Sequence, residues 1–246
     1  IEAVAIVFML VGGISFSVHF VVWRTLNAGR YLADTQTRAF LLLVAGLSLI
    51  VACILNVTET QAAPLSALRH GVFAVVSVIT TTGFGIDDFS VWPLALPAIL
   101  IFSSFVGGAA GSTSGGIKII RFVILSRQAS VHVQRLIHPR VIRPISVDGR
   151  VVEDSVIHGM WSFFAVYVAV FAMFMIALML DGVDQITAFG AVATCLNNLG
   201  PGLGAVATNF IALSAGSKIV LVLAMLMGRL EIFTFLVLLT PAFWRR

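Results

Sequence analysis

The chain has 246 residues, 59% of them hydrophobic and only 11% charged, with a mean hydropathy of +1.07. A soluble domain carries about 25% charged residues, so a water-soluble enzyme or nucleic-acid-binding module is excluded and an all-α integral membrane protein is expected. The net charge of +4 then reports membrane topology rather than a polyanionic partner.

Five apolar stretches approach the roughly 20 residues of a spanning helix: Ala3–Trp23, Ala39–Leu55, Val91–Leu125, Val156–Leu180 and Ile219–Trp244. Ile1 is not an initiator and no charged leader precedes the first helix, so the chain reads as a fragment opening on one helix, Glu2 to Trp23. A polar link, Arg24 to Arg38, leads to the crossing Ala39–Leu55. Leu65 to Ile79 is too short and, with Arg69 and His70, too polar to span. It reads as a re-entrant helix, tolerated at membrane depth where protein or a water-filled cavity surrounds it.

That helix delivers Thr80-Thr81-Thr82-Gly83-Phe84-Gly85. Extended backbone rich in threonine and glycine can aim successive carbonyls and hydroxyls one way, replacing the water shell of a cation. The following apolar run breaks at Gly107–Gly116, where five glycines in ten residues argue for a loop, because each costs a helix about 1 kcal/mol relative to alanine. The run resumes at Ile117 and meets Lys118, Arg121 and Arg127. In the polar connection Ser130–Asp154, Val141–Val147 and Arg150–Val152 flank Asp148-Gly149, the signature of a tight hairpin. Val156–Leu180 crosses, Asp184–Cys195 repeats the re-entrant length, Asn197-Asn198-Leu199-Gly200-Pro201-Gly202 forms a second strip, and Ile219–Trp244 is a last helix.

The two halves repeat. An offset of 117 superposes Gly83 on Gly200, Gly85 on Gly202 and the crossing at Ala39 on that at Val156, the self-similarity of an architecture of stacked equivalents. With the strips outside, 12 of the 15 lysines and arginines fall in inner segments, a strong positive-inside bias. Glu59, Asp87, Asp88, Asp181 and Asp184 lie outside; they either concentrate cations at a pore mouth or merely solvate loops. The units are residues 1–38 (a helix and a link), 39–127 (a pore repeat), 128–154 (a cytoplasmic connection) and 155–246 (a second pore repeat).

The strips TTTGFG and NNLGPG, with GGAAGSTSGGIKIIR at Gly107–Arg121, resemble the potassium-translocating subunits of bacterial Trk systems, in the Trk/Ktr/HKT superfamily; the match covers essentially the whole chain. The resemblance implies a multi-pass protein of the bacterial inner membrane with four pseudo-equivalent repeats around one pore. This chain would hold a final helix of the second repeat and all of the third and fourth. Filter residues would be Thr80, Thr81, Thr82, Gly83 and Phe84, with Asn197, Asn198, Leu199, Gly200 and Pro201. Potassium would sit at Thr81, Thr82, Asn198 and Leu199, and Gly83 and Gly200 would occupy the glycine position that favours potassium. It further implies no covalently bound cofactor, potassium as substrate, a homodimer of complete pores, and a cytoplasmic TrkA-like nucleotide-binding subunit through which nucleotides act. The basic link Arg127–Arg150 would rest on anionic lipid or dock that subunit.

The offset also places Arg229 opposite Ser112. An arginine buried near a helix centre costs about 2.5–3.5 kcal/mol on insertion scales and reads as functional. Here it is expected to project into the cavity beneath the filters and hold the gate formed by Gly107, Gly108, Gly111, Ser112, Thr113, Ser114, Gly115 and Gly116; the alternative is a structural ion pair. Glu231 lies on nearly the opposite helix face. Other motifs fail: Gly111–Lys118 departs from a phosphate loop because Ile117 displaces the lysine, and Ser114 with His158 lacks a nucleophile elbow. Cys53 and Cys195 read as buried small hydrophobes. His19, His70 and His158 read as hydrogen-bonded helix contacts, and His132 and His138 as solvated. An ion-coupled secondary transporter, built on discontinuous helices, is the competing reading.

Overall fold

The computed structural model describes residues 1–61, 63–93, 95–138 and 144–245, and is built almost wholly of helices. In chain order these are α1 (Glu2–Gly13), α2 (Phe16–Thr25), α3 (Gly29–Ala33), α4 (Thr35–Val57), α5 (Pro64–Ile79), α6 (Leu96–Ser104), α7 (Ile119–Ile137), α8 (Asp154–Leu180), α9 (Gln185–Asn197), α10 (Ala215–Arg229), α11 (Ile232–Leu238) and α12 (Pro241–Trp244). Two-residue strands β1 (Val106–Gly107) and β2 (Ile117–Lys118) pair in parallel at the neck of the glycine-rich loop. Antiparallel β3 (Ser146–Val147) and β4 (Arg150–Val151) make the expected hairpin, turning at Asp148 and Gly149 with φ of 49° and 76°. Its first expected residues, Val141–Arg143, lie outside the described residues.

Length sorts the helices. At 1.5 Å per residue, the 23 residues of α4 and the 27 of α8 reach about 35 and 40 Å, enough to cross a hydrocarbon core of about 30 Å. The 16 residues of α5 and 13 of α9 reach only about 24 and 20 Å, so they enter and turn back. Capping fixes the starts of α4 and α9: Asp34 accepts from Thr37 N (2.8 Å), and Asp184 accepts from Thr187 N (3.0 Å). α9 is buried at every residue from Gly190 to Asn197.

Each repeat has its own core. One gathers Phe40, Val51 and Leu55 of α4, Val76 and Ile79 of α5 and Leu100 of α6; the other gathers Phe163 and Tyr167 of α8, Val192 and Leu196 of α9 and Ala224 of α10. Phe105 and Phe171, ring centroids 5.6 Å apart, pack against both and join the halves.

Two expected single helices are broken. The segment expected to run from Glu2 to Trp23 bends by 99° between α1 and α2, and the expected last helix Ile219–Trp244 bends by 109° between α10 and α11. The first break survives because the carbonyls it frees find new donors: Gly12 O accepts from Thr113 N (3.1 Å) and Thr113 Oγ1 (3.0 Å), Gly13 O from Ala109 N (2.9 Å), and Val11 O from His19 Nε2 (2.9 Å). The second turns at Glu231, whose φ is 60°. Arg229 is therefore not buried near a helix centre; it is exposed at the C-terminus of α10. The run after Val91 is also shorter than its composition implies, because α6 begins only at Leu96.

Candidate functional site

The two strips share one backbone conformation. Thr81 and Asn198, 117 residues apart, are both left-handed, with φ of 53° and 56°, and Gly83 and Gly200 are also positive, at 73° and 113°. The bonds that end the re-entrant helices recur at the same offset. Thr81 N reaches Val78 O at 3.1 Å and Thr82 N reaches Ser77 O at 3.0 Å; Asn198 N reaches Cys195 O at 3.1 Å and Leu199 N reaches Thr194 O at 2.9 Å. The left-handed residue stops each helix and releases the next carbonyls from the helical pattern. Among the described residues, no hydrogen bond ends on the carbonyls of Thr81, Thr82, Gly83, Asn198, Leu199 or Gly200. The strips also meet: a side chain added at Gly83 would run into Leu199 O.

Side chains brace the strips from behind. Thr80, buried, donates to Val76 O (2.6 Å) and shares a hydrogen bond with Thr82 Oγ1 (2.6 Å); Ser77 Oγ donates to Phe84 O (2.6 Å). In the second strip Gly200 N donates to Thr194 Oγ1 (2.8 Å). The Asn197 side chain points into protein, not along the strip. Its Oδ1 accepts from Tyr167 Oη (2.7 Å) and its Nδ2 donates to Ser104 Oγ (2.9 Å). Outside the strips, a cavity of about 280 Å³ is bounded by Gly83, Gly85, Asp87, Asp88, Leu199 and Pro201, among others. Asp87 pairs there with His70 and accepts from Gln61 Nε2 (3.3 Å), while Asp88 caps a short turn through Ser90 N (2.9 Å). Asp181 and Asp184 act as helix caps: Ser214 and Ser217 hold the Asp181 carboxyl below its ordinary range, and Thr187 does the same for Asp184.

Gly107–Gly116 lies directly beneath. Gly115 N donates to Thr81 Oγ1 (2.7 Å), and Gly115 is so close to Asn197 O that no Cβ fits between them. Gly111 and Gly116 have φ of 73° and 66°, and a Cβ at Gly116 would come 2.7 Å from Ser104 O. Gly107 lies against Gly115, and Gly108 against Gly13 O and the Ser112 and Ser114 hydroxyls. The loop is tied outward by Phe16 N donating to Gly111 O (3.1 Å) and by the bonds that satisfy the α1–α2 break.

Arg229 and the loop do come together: its Nη1 donates to Thr113 O at 3.3 Å. They share a cavity of about 250 Å³ with Lys118, Arg121 and Glu231. Lys118 Nζ donates to Ser114 O, and Arg121 lies 3.8 Å over the Phe163 ring with its guanidinium 2.8 Å from Glu231. Three bases face one acid, so the lining carries an excess of positive charge. Ser114 lines this cavity, whereas His158 does not. Cys195 is buried, whereas Cys53 is exposed, a departure from the expectation of two buried thiols. The sequence reading passes over Tyr167, Ser104 and Gln36, none of which carries a local motif; only the polarity of Ser104 and Asn197 inside apolar runs hints at a partner.

A family profile described as "TrkH: Cation transport protein" matches residues 1–246. "Trk system potassium uptake protein TrkH" of Halomonas elongata is 44% identical over 246 residues, and the protein of the same description in Escherichia coli K12 is 39% identical over 245 residues. Each match covers 100% of this chain and 51% of the relative, so the chain spans about half the length of the curated relatives it matches. The crystal structure of the potassium transporter TrkH from Vibrio parahaemolyticus superposes with a TM-score of 0.94 at 42% identity, covering 100% of this chain and 53% of that one. With its helix–re-entrant helix–strip–helix repeats matched along their whole length, the chain belongs to the TrkH family of cation transport proteins.

Proposed function

We propose that this chain supplies two of four filters, and the gate beneath them, of a pore that passes potassium across the bacterial inner membrane down its electrochemical gradient. The observation that carries the reading is the recurrence, 117 residues apart, of one left-handed turn followed by carbonyls that no donor among the described residues takes. Such oxygens replace the hydration shell of a cation. Potassium would be held at Thr81, Thr82, Asn198 and Leu199, with Gly83 and Gly200 at the closest approach and Thr80, Phe84, Asn197 and Pro201 framing the path. The relatives, twice as long and described as potassium uptake proteins, support potassium as the substrate. No cofactor takes part; nucleotides act through a TrkA-like cytoplasmic subunit, and complete pores pair as homodimers.

Gly107–Gly116 blocks the path below the filters, and Arg229 holds it there through Thr113 O while its charge repels an incoming cation. Planar-bilayer recording of the full-length protein under opposed potassium and sodium gradients tests this. Unitary currents reversing near the potassium potential, with a higher open probability in Arg229→Ala, are expected; unchanged currents in that variant sink the gate. The broken pairs α1–α2 and α10–α11 also suit a coupled transporter, in which discontinuous helices bind ions at the midplane. Silent bilayers with saturable, proton- or sodium-dependent vesicle uptake would favour that second reading and make the loop a hinge.

A further inference from the structure

The start of α4 carries two carboxylates. Asp34 caps it locally; the second arrives from the cytoplasmic hairpin, where Asp148 Oδ1 accepts from Thr35 N (3.1 Å) and Thr35 Oγ1 (2.5 Å). Thr35 is buried, and a negative charge at a helix N-terminus is favoured by its dipole. The next residue, Gln36, turns the other way: its Oε1 accepts from Ala110 N at 2.9 Å, in the middle of the gate loop. Asp148, Thr35, Gln36 and Ala110 thus run in an unbroken line from the cytoplasmic surface to the gate. The hairpin at the outer end is lightly seated. Arg127 on α7 donates to Ser146 O, but cavities of about 240 and 360 Å³, both lined by Val131, Pro144 and Ile145, lie between hairpin and helix. It can shift without tearing a core.

We propose that Gln36 is the positioning residue of the gate loop and that the β3–β4 hairpin sets it, so that a pull on the hairpin frees Ala110. The proposal rests on the reading of Gly107–Gly116 as the gate. It assigns the hairpin as the part of this chain on which a cytoplasmic regulator acts.

Asp148→Gly is the clean test, because glycine keeps the two-residue turn while removing the carboxylate; Asp148→Asn keeps both the turn and an acceptor oxygen. In planar bilayers of the full-length protein, Asp148→Gly and Gln36→Ala should each raise the open-to-closed ratio about fivefold, the weight of one ordinary hydrogen bond. The double variant should rise no further than either alone. Unitary conductance and reversal potential should not move, and Asp148→Asn should retain most of the closure. Unchanged open probability in both single variants, or effects that multiply in the double, overturns the proposal. If Asp148→Gly is not recovered from membranes, Thr35→Val takes its place with the same expected direction. Arg229→Ala is recorded alongside: if it opens the pore while these variants are silent, the hairpin link alone fails, and if all are silent the gate itself fails.

Discussion

Removing a single oxygen from α8 should loosen the second strip. Tyr167 Oη donates to Asn197 Oδ1 at 2.7 Å, Asn197 Nδ2 donates to Ser104 Oγ at 2.9 Å, and Ser104 Oγ donates to Ile101 O at 2.7 Å. Asn197 and Ser104 are fully buried and Tyr167 is 5% exposed. Tyr167→Phe keeps the ring and opens no cavity, but it leaves the Asn197 carbonyl unpaired where water does not reach, at a cost of about 1–3 kcal/mol. At about 2–4 °C per kcal/mol for a chain of this size, the melting temperature should fall by roughly 2–12 °C. Asn197→Ala should cost at least as much, because it strands the tyrosine hydroxyl and leaves a void. In the double variant neither orphan remains, since Ser104 still has Ile101 O, so the combined loss should be smaller than the sum by about 1 kcal/mol or more. Thermal unfolding of the four proteins in detergent, followed by tryptophan fluorescence, measures the cycle. Strictly additive losses would refute the network as the brace of Asn197–Gly200.

Gly115→Ala should be poorly tolerated: its Cβ has no room beside Asn197 O, and such overpacking costs about 1–3 kcal/mol. A lower melting temperature with altered potassium-to-sodium permeability is expected, and wild-type behaviour in both would contradict the packing. Thr81→Val removes the acceptor of Gly115 N and should raise basal rubidium leak severalfold, since about 1 kcal/mol of hydrogen bonding is lost; Thr81→Ser should restore closure. Asp181 is held below its ordinary value by Ser214 and Ser217. Its contribution is therefore complete above pH 3.8 and vanishes as the pH falls through its depressed value. Asp181→Ala should melt earlier than wild type by the same margin from about pH 6 to 8, with the gap closing only in strong acid; a gap that varies across neutral pH would point to another group.

The repeat was legible because the same chemistry recurs at a fixed offset, and the glycine loop because no other composition interrupts an apolar run so abruptly. The Asp148-Gly149 hairpin was legible because few residues tolerate two successive positive φ angles. The breaks at Ile14–Ser15 and Leu230–Glu231 were not, since the apolar run continues straight through each and hydropathy averages over a kink. Gly12-Gly13 and Gly228 stand beside them, but what makes the first bend affordable lies about a hundred residues away, in Thr113 and Ala109. For the same reason the depth of Arg229 could be counted off from Ser112, while its place at a helix end could not. Asn197 was assigned to the strip by its register; it is the last residue of α9, and its side chain answers to Tyr167 and Ser104, partners that no local pattern announces.

That dependence of the first bend on distant residues bears on how the protein is made. When Gly12 and Gly13 enter the bilayer, the donors that will take their carbonyls, Thr113 and Ala109, have not been synthesised; at about 5–20 residues per second they follow roughly 5–20 s later. In lipid an unpaired carbonyl is prohibitive, whereas a straight helix satisfies every one. The first segment should therefore be inserted as an unbroken span and bend only after the loop arrives. Its two conformations then belong to successive stages of assembly, and a nascent chain arrested before the loop emerges should hold α1 and α2 as a single rod.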